Sequence, residues 1–136
     1  MSLTISTSDN EAFVNVGGGD TWISLMSTVD VRLKKCSKDI SAAVNFLHSG
    51  ECSAEDALKT AKQFNIIRDE LSKLSPDKIV YDADDLKKKA PWAGHISPVV
   101  TSCANFYTTA DGNDLLFEIV NILTYAGTNN VSVELM

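Results

Sequence analysis

Hydrophobic and polar positions alternate along Leu3–Thr7 and again along Ala12–Val16, with Ser8-Asp9-Asn10-Glu11 between them. A period of two in stretches rich in β-branched and aromatic residues, joined by turn-forming residues, predicts a β-hairpin. Gly17-Gly18-Gly19 then breaks the strand, and Asp20 is placed to cap a helix. The apolar positions of that helix, Trp22, Leu25, Met26, Val29 and Leu33, recur at helical spacing. A second helix is expected from Ser37, burying Ile40, Ala43, Val44 and Leu47 and ending at Ser49-Gly50. The strongest start signal is Ser53-Ala54-Glu55-Asp56, close to a capping box, in which the Ser53 hydroxyl takes an orphan amide while Asp56 reaches back. It opens a long helix with Ala57, Ala61, Phe64, Ile67, Leu71 and Leu74 on one side, stopped by Pro76.

Beyond Pro76 the pattern is more broken. Ile79-Val80-Tyr81 suits a short extended piece, and Asp82–Lys89 a helical turn with acids first and bases last, as the helix dipole prefers. Pro91 and Pro98 push Ala90 and Ser97 out of helical geometry, which predicts an ordered loop. Ala104–Thr109 reads as a strand, Asn113–Ala126 as an amphipathic helix closed by Gly127, and Val131–Leu135 as a last strand. The order β-β-α-α-α-loop-β-α-β predicts an α+β fold, a single domain over 1–136 with helices packed on one face of a small sheet. The closing β-α-β leaves room for a parallel crossover.

Composition narrows what such a domain can do. With 44% hydrophobic and 22% charged residues among 136, the chain can bury a real core. No apolar run reaches the ~20 residues of a membrane span, and the opening M-S-L-T-I-S-T-S-D-N has neither a basic nor an apolar targeting region. A cytoplasmic location and no membrane partner are therefore expected. Net charge −6 argues against nucleic acid as a direct ligand, because phosphate binding needs clustered Lys and Arg. The one basic run, Lys87-Lys88-Lys89, follows Asp82, Asp84 and Asp85, which cancel much of its field. From Ala90 to Met136 the chain carries Asp111, Asp114, Glu118 and Glu134 and no Lys or Arg, so −4 of the −6 sits in about a third of the length. That asymmetry points to a basic partner.

Candidate chemistry is sparse. Gly17-Gly18-Gly19-Asp20 lacks the Lys-Ser/Thr of a phosphate loop and sets a carboxylate where phosphate would sit. Asp82, Asp84 and Asp85 begin like a calcium loop but lack its turning glycine and its later bidentate Glu. An acidic contact patch is the better functional reading of the three. Cys36, Cys52 and Cys103 are an odd number at irregular spacing, with only His48 and His95 beside them, so neither a disulfide framework nor a zinc site is expected. Cys103 and His95 could in principle pair as thiolate and imidazole. Their surroundings match no nucleophile motif, and a core thiol and a loop histidine are the simpler reading. The expectation is no catalytic residue, no cofactor and no metal. Trp92, between Pro91 and Ala93-Gly94, is either a core plug or an interface anchor, whereas Tyr107, Phe117 and Tyr125 sit at packing spacings.

The stretch Pro91–Gly112 carries an order of residues that resembles bacterial toxin-immunity proteins of the immunity protein 70 type. The shared elements are Pro91, Trp92, Ile96 and Ser97, then Thr101, Ser102, Ala104, Asn105 and Phe106, then Thr109, Asp111 and Gly112, with Cys103 in the variable slot. The resemblance implies a cytoplasmic protein of a contact-dependent or polymorphic toxin system, made beside a toxin whose C-terminal domain it binds and blocks. Many such toxins are nucleases with basic surfaces, to which an acidic inhibitor is steered. Immunity proteins vary most where they touch their toxin, so Pro91, Trp92, Ile96, Ser97, Thr101, Ser102, Asn105, Asp111 and Gly112 are expected to be scaffold. Asp82, Asp84, Asp85, Asp114 and Glu118 are the expected contacts. Two other readings stay open, a small Cys/His hydrolase using Cys103 and His95 and a non-inhibitory acidic adaptor.

Overall fold

The computed structural model describes residues 2–81 and 100–136. Strand β1 (Ser2–Thr7) and strand β2 (Phe13–Gly18) form the expected hairpin. Its turn is fixed locally: Thr7 Oγ1 donates to Asp9 Oδ1 at 2.6 Å, the Glu11 amide donates to the same oxygen, and Asn10 takes φ 60°. The ladder slips between Leu3 and Thr4, which pair with Gly17 and Asn15, so Val16 is an extra residue in β2. Gly17 absorbs this bulge at φ 98°, a backbone that a side chain would strain.

The three glycines do not simply end the strand. β2 runs through Gly18, and helix α1 (Gly19–Arg32) follows with Gly18 as a cap residue that offers no side chain. Asp20 lies in the first turn, where its charge suits the dipole, rather than capping it. Helix α2 (Ser41–Ser49) starts four residues later than the pattern predicts, because Lys34–Cys36 turn as a short 3-10 segment. It ends as expected, with Gly50 left-handed at φ 75° and its amide on the Phe46 carbonyl. Two residues, Glu51–Cys52, make strand β3, which the sequence did not announce. Helix α3 (Ala54–Ser72) is capped by Ser53, whose Oγ accepts the Asp56 amide at 3.2 Å. The Asp56 carboxylate turns to the Ser53 hydroxyl, at 3.2 Å, instead of to its amide.

The expected strand over Ala104–Thr109 is absent. Cys103–Asn105 forms a 3-10 turn, and only an isolated bridge between Thr108 and Asp114 follows. Helix α4 (Leu115–Asn129) passes through Gly127 and ends at the left-handed Asn130. Gly127 is a contact residue, not a stop: a Cβ there would lie 2.4 Å from Leu58 Cγ of α3. Strand β4 (Val133–Leu135) closes the fold by pairing antiparallel with both β1 and β3, so the described strands contain no parallel crossover. Strand order is β2-β1-β4-β3.

One face of the sheet is core and the other is open. Ile5, Thr7, Val14, Val16, Cys52 and Val133 are buried beneath the helices, while Phe13, Glu51 and Glu134 on the alternate positions are exposed. Trp22, Phe46 and Phe64 meet edge to face at 5.9 and 6.1 Å and join α1, α2 and α3. The Trp22 indole N–H is satisfied by the Leu47 carbonyl at 3.0 Å. α3 and α4 lie side by side in opposite directions, with Leu58 against Gly127 at one end and Arg68 over the Phe117 ring, 5.4 Å from its centroid, at the other.

Candidate interaction surface

The segment 101–114 is held by its own side chains. Asn105 Oδ1 accepts the amides of Thr101 and Ser102 at 3.0 and 3.1 Å, and Ser102 Oγ accepts the Ala104 amide at 3.1 Å. The Cys103 amide ties this turn to the Leu74 carbonyl at the end of α3. Thr109 Oγ1 accepts from the amides of Asp111 and Asn113, and Gly112 takes φ 84°. Asp114 Oδ1 accepts the Phe117 amide at 3.1 Å and so caps α4, with Glu118 in the first turn above it. The carboxylate of Asp111 is on an exposed residue and makes no hydrogen bond or ion pair among the described residues. Asp82, Asp84, Asp85, Pro91, Trp92, His95, Ile96 and Ser97 lie outside the described residues.

Two buried groups in this segment bear on chemistry. Cys103 is fully buried, its Sγ donates to the Ser75 carbonyl at 3.2 Å, and burial pushes the thiol up to about 11. A thiol held protonated in this way is a poor nucleophile at neutral pH. Tyr107 sends its hydroxyl between Ser24 and Thr28 of α1, at 3.0 and 2.8 Å. Both α1 hydroxyls also donate to the Val80 carbonyl, and the Val80 amide returns a bond to Thr28 at 2.9 Å. Burial keeps the Tyr107 hydroxyl protonated well above the ordinary tyrosine range. This knot fastens α1, the middle of the Ile79–Tyr81 piece and the C-terminal segment to one another. Ser24 and Thr28, one helical turn apart among the buried Trp22, Leu25 and Val29, are the signal for it in the sequence.

The charge distribution is sharper in three dimensions than along the chain. All Lys and Arg fall between Arg32 and Lys89. Residues 1–31 hold four acids and no base, residues 100–136 again four acids and no base, and residues 32–81 hold nine bases against seven acids. The two base-free segments fold together as β1, β2, β4, α4 and most of α1. With Glu51-Cys52 added as β3, the four described strands contain no Lys or Arg. Lysine ion pairs among the described residues involve only Lys35 and Lys73, on the helical side, and His48 Nε2 lies 2.8 Å from Asp30 of the base-free N-terminal segment. Glu11, Asp20, Glu51, Asp111, Glu118 and Glu134 have no ion-pair partner among the described residues. No set of three His, Cys, Asp or Glu side chains among the described residues is placed to hold a metal ion, and no described helix is long and apolar enough to cross a membrane.

The family model described as Immunity protein 70 matches residues 5–135. The chain belongs to the immunity protein 70 family. The match reaches from β1 to β4 and so takes in the N-terminal half, where the sequence offered no quotable motif. Membership brings with it the role of an immunity protein, the neutralisation of a toxin. No curated protein and no solved structure matches the chain.

Proposed function

We propose that this protein neutralises a cognate toxin in the bacterial cytoplasm by binding the toxin's C-terminal domain and covering its active site or substrate surface. The family match over residues 5–135 carries this reading. The toxin domain is a nuclease with a basic surface, and the uncompensated acids of the sheet side and α4 steer the encounter and exclude nucleic acid from that surface. Inhibition is by occlusion, without turnover. The buried, protonated Cys103 supports this over a Cys/His hydrolase.

Co-expression with the C-terminal domain of the toxin encoded directly upstream tests the proposal. Growth should be restored, nuclease activity in the lysate lost, and the two chains should co-purify. Association should slow as salt rises. Co-purification without protection would favour the adaptor reading. Protection that disappears in a folded Cys103→Ala, His95→Gln variant would favour the hydrolase.

A further inference from the structure

Four residues form one row across the open face of the sheet. Phe13 of β2 pairs with Ser6 of β1, Ser6 with Glu134 of β4, and Glu134 with Glu51 of β3. Partners directly opposite each other point to the same face. Phe13 is 65% exposed and both glutamates are exposed. In the next row on this face Asn15 pairs with Thr4, which exchanges both backbone bonds with Met136, itself 65% exposed. At strand spacings of about 4.8 Å the row from Phe13 to Glu51 is about 14 Å wide.

The Glu51–Glu134 juxtaposition works against the free protein. The Leu135 amide donates to the Gly50 carbonyl, so the glutamate pair falls at the neighbouring non-hydrogen-bonded position, where side chains approach most closely. Like charges at such a position destabilise a sheet. No Lys or Arg of the described strands offsets them, and neither glutamate has an ion pair among the described residues. A cation brought by a partner would turn that repulsion into attraction, and the apolar Met136, two residues along the chain from Glu134, and Phe13, at the far end of the row, provide contact area that excludes water.

We infer that the open sheet face is the docking surface, taking a basic patch of the toxin domain onto the Glu51–Glu134 pair with Phe13 and Met136 as apolar flanks. This rests on the toxin-binding reading above and replaces α4 and its cap by the sheet as the centre of contact. Glu51→Gln combined with Glu134→Gln gives the sharpest test, because it acts oppositely on the free protein and on the complex. Relief of the repulsion should raise the melting temperature of the free protein by roughly 1–4 °C. Affinity for the purified, catalytically inactivated C-terminal domain of the adjacent toxin should fall at least about tenfold. Asp39→Asn combined with Asp69→Asn removes the same charge from the helical side and should leave affinity within about twofold. Wild-type affinity in the sheet variant, or an equal loss in the helical one, overturns the inference while leaving toxin binding intact. A wild-type chain that fails to bind the domain overturns both readings.

Discussion

The sheet side and the helical side of this domain are built from different parts of the chain and carry opposite charge. Residues 32–81 supply α2, α3 and the aromatic ladder of Phe46 and Phe64, with nine bases against seven acids. Residues 1–31 and 100–136 supply three of the four strands, α4 and most of α1, with eight acids and no base, and β3 comes from the middle segment. Mixed charges at helical spacing, such as Lys73 with Asp69 and Glu70, satisfy one another on the helical surface. Apart from Asp30, which meets His48, the acids of the sheet side have no such partners among the described residues, and their mutual repulsion is a cost that a basic partner would reverse. The comparison places the aromatic ladder on one side and most of the unpaired acids on the other, and the proposed toxin contact falls on the acidic side.

The largest expected effect lies in the helical layer. Phe46 is 1% exposed and packs against both Trp22 and Phe64. Phe46→Ala should cost about 3–5 kcal/mol in chemical denaturation. If the division holds, the fraction that remains folded should bind its partner at the wild-type rate. A parallel loss of association rate, measured at matched folded concentration, would show that the two sides are not separable.

Gly127 lies where α3 and α4 meet, so it probes the seam between the sides. An added methyl would meet Leu58 Cγ at 2.4 Å and the Leu58 amide nitrogen at 3.1 Å. The clash should outweigh the gain of replacing glycine within a helix, about 1 kcal/mol, leaving Gly127→Ala destabilised by about 1–3 kcal/mol. A stabilised variant would mean that α3 shifts freely on α4.

Most of this architecture was legible because most of its elements are amphipathic and long enough to show a period. The hairpin, α1, α3 and α4 appear in the spacing of Val14, Leu25, Ile67 and Ile119, all buried. What was not legible depends on tertiary partners. β3 is two residues between the caps Gly50 and Ser53, too short for any pattern. Tyr107 and Thr109 do alternate with exposed or half-exposed neighbours, yet Ser102 and Asn105 satisfy the preceding amides locally and Tyr107 is drawn to α1, so no ladder forms. The acidic tail was visible from composition, but its merger with an equally base-free N-terminus required the β1–β4 pairing. That pairing also places Glu134 beside Glu51, a relation that sequence separation hides.

Tyr107→Phe tests the polar knot that fastens the C-terminal segment to α1. Removing the hydroxyl leaves the Ser24 and Thr28 hydroxyls on the Val80 carbonyl, so neither is stranded. The loss should be about 1–2 kcal/mol, with the fold retained. Thr28→Val should cost more, because it also strips the Val80 amide of its acceptor. Equal effects of the two would show that the Val80 contact contributes nothing to stability.

The smallest effect belongs to Asp9, in the β1–β2 turn. Its carboxylate accepts from Thr7 first of all, then from the Glu11 amide and the Tyr125 hydroxyl, and these bonds hold its pKa below the ordinary 3.8. A carboxyl whose pKa is depressed on folding binds protons more readily in the unfolded chain. Its contribution is therefore fully present above the unfolded value and is lost as pH falls through the folded one. Asp9→Asn should lower the melting temperature slightly at about pH 6 and flatten the decline between about pH 4 and pH 2. Because Asp9 also joins the hairpin turn to α4 through Tyr125, Tyr125→Phe should reproduce part of the loss near neutral pH and leave most of the acid dependence in place. An acid limb unchanged by Asp9→Asn would assign acid sensitivity to other carboxylates, such as Asp114 at the cap of α4.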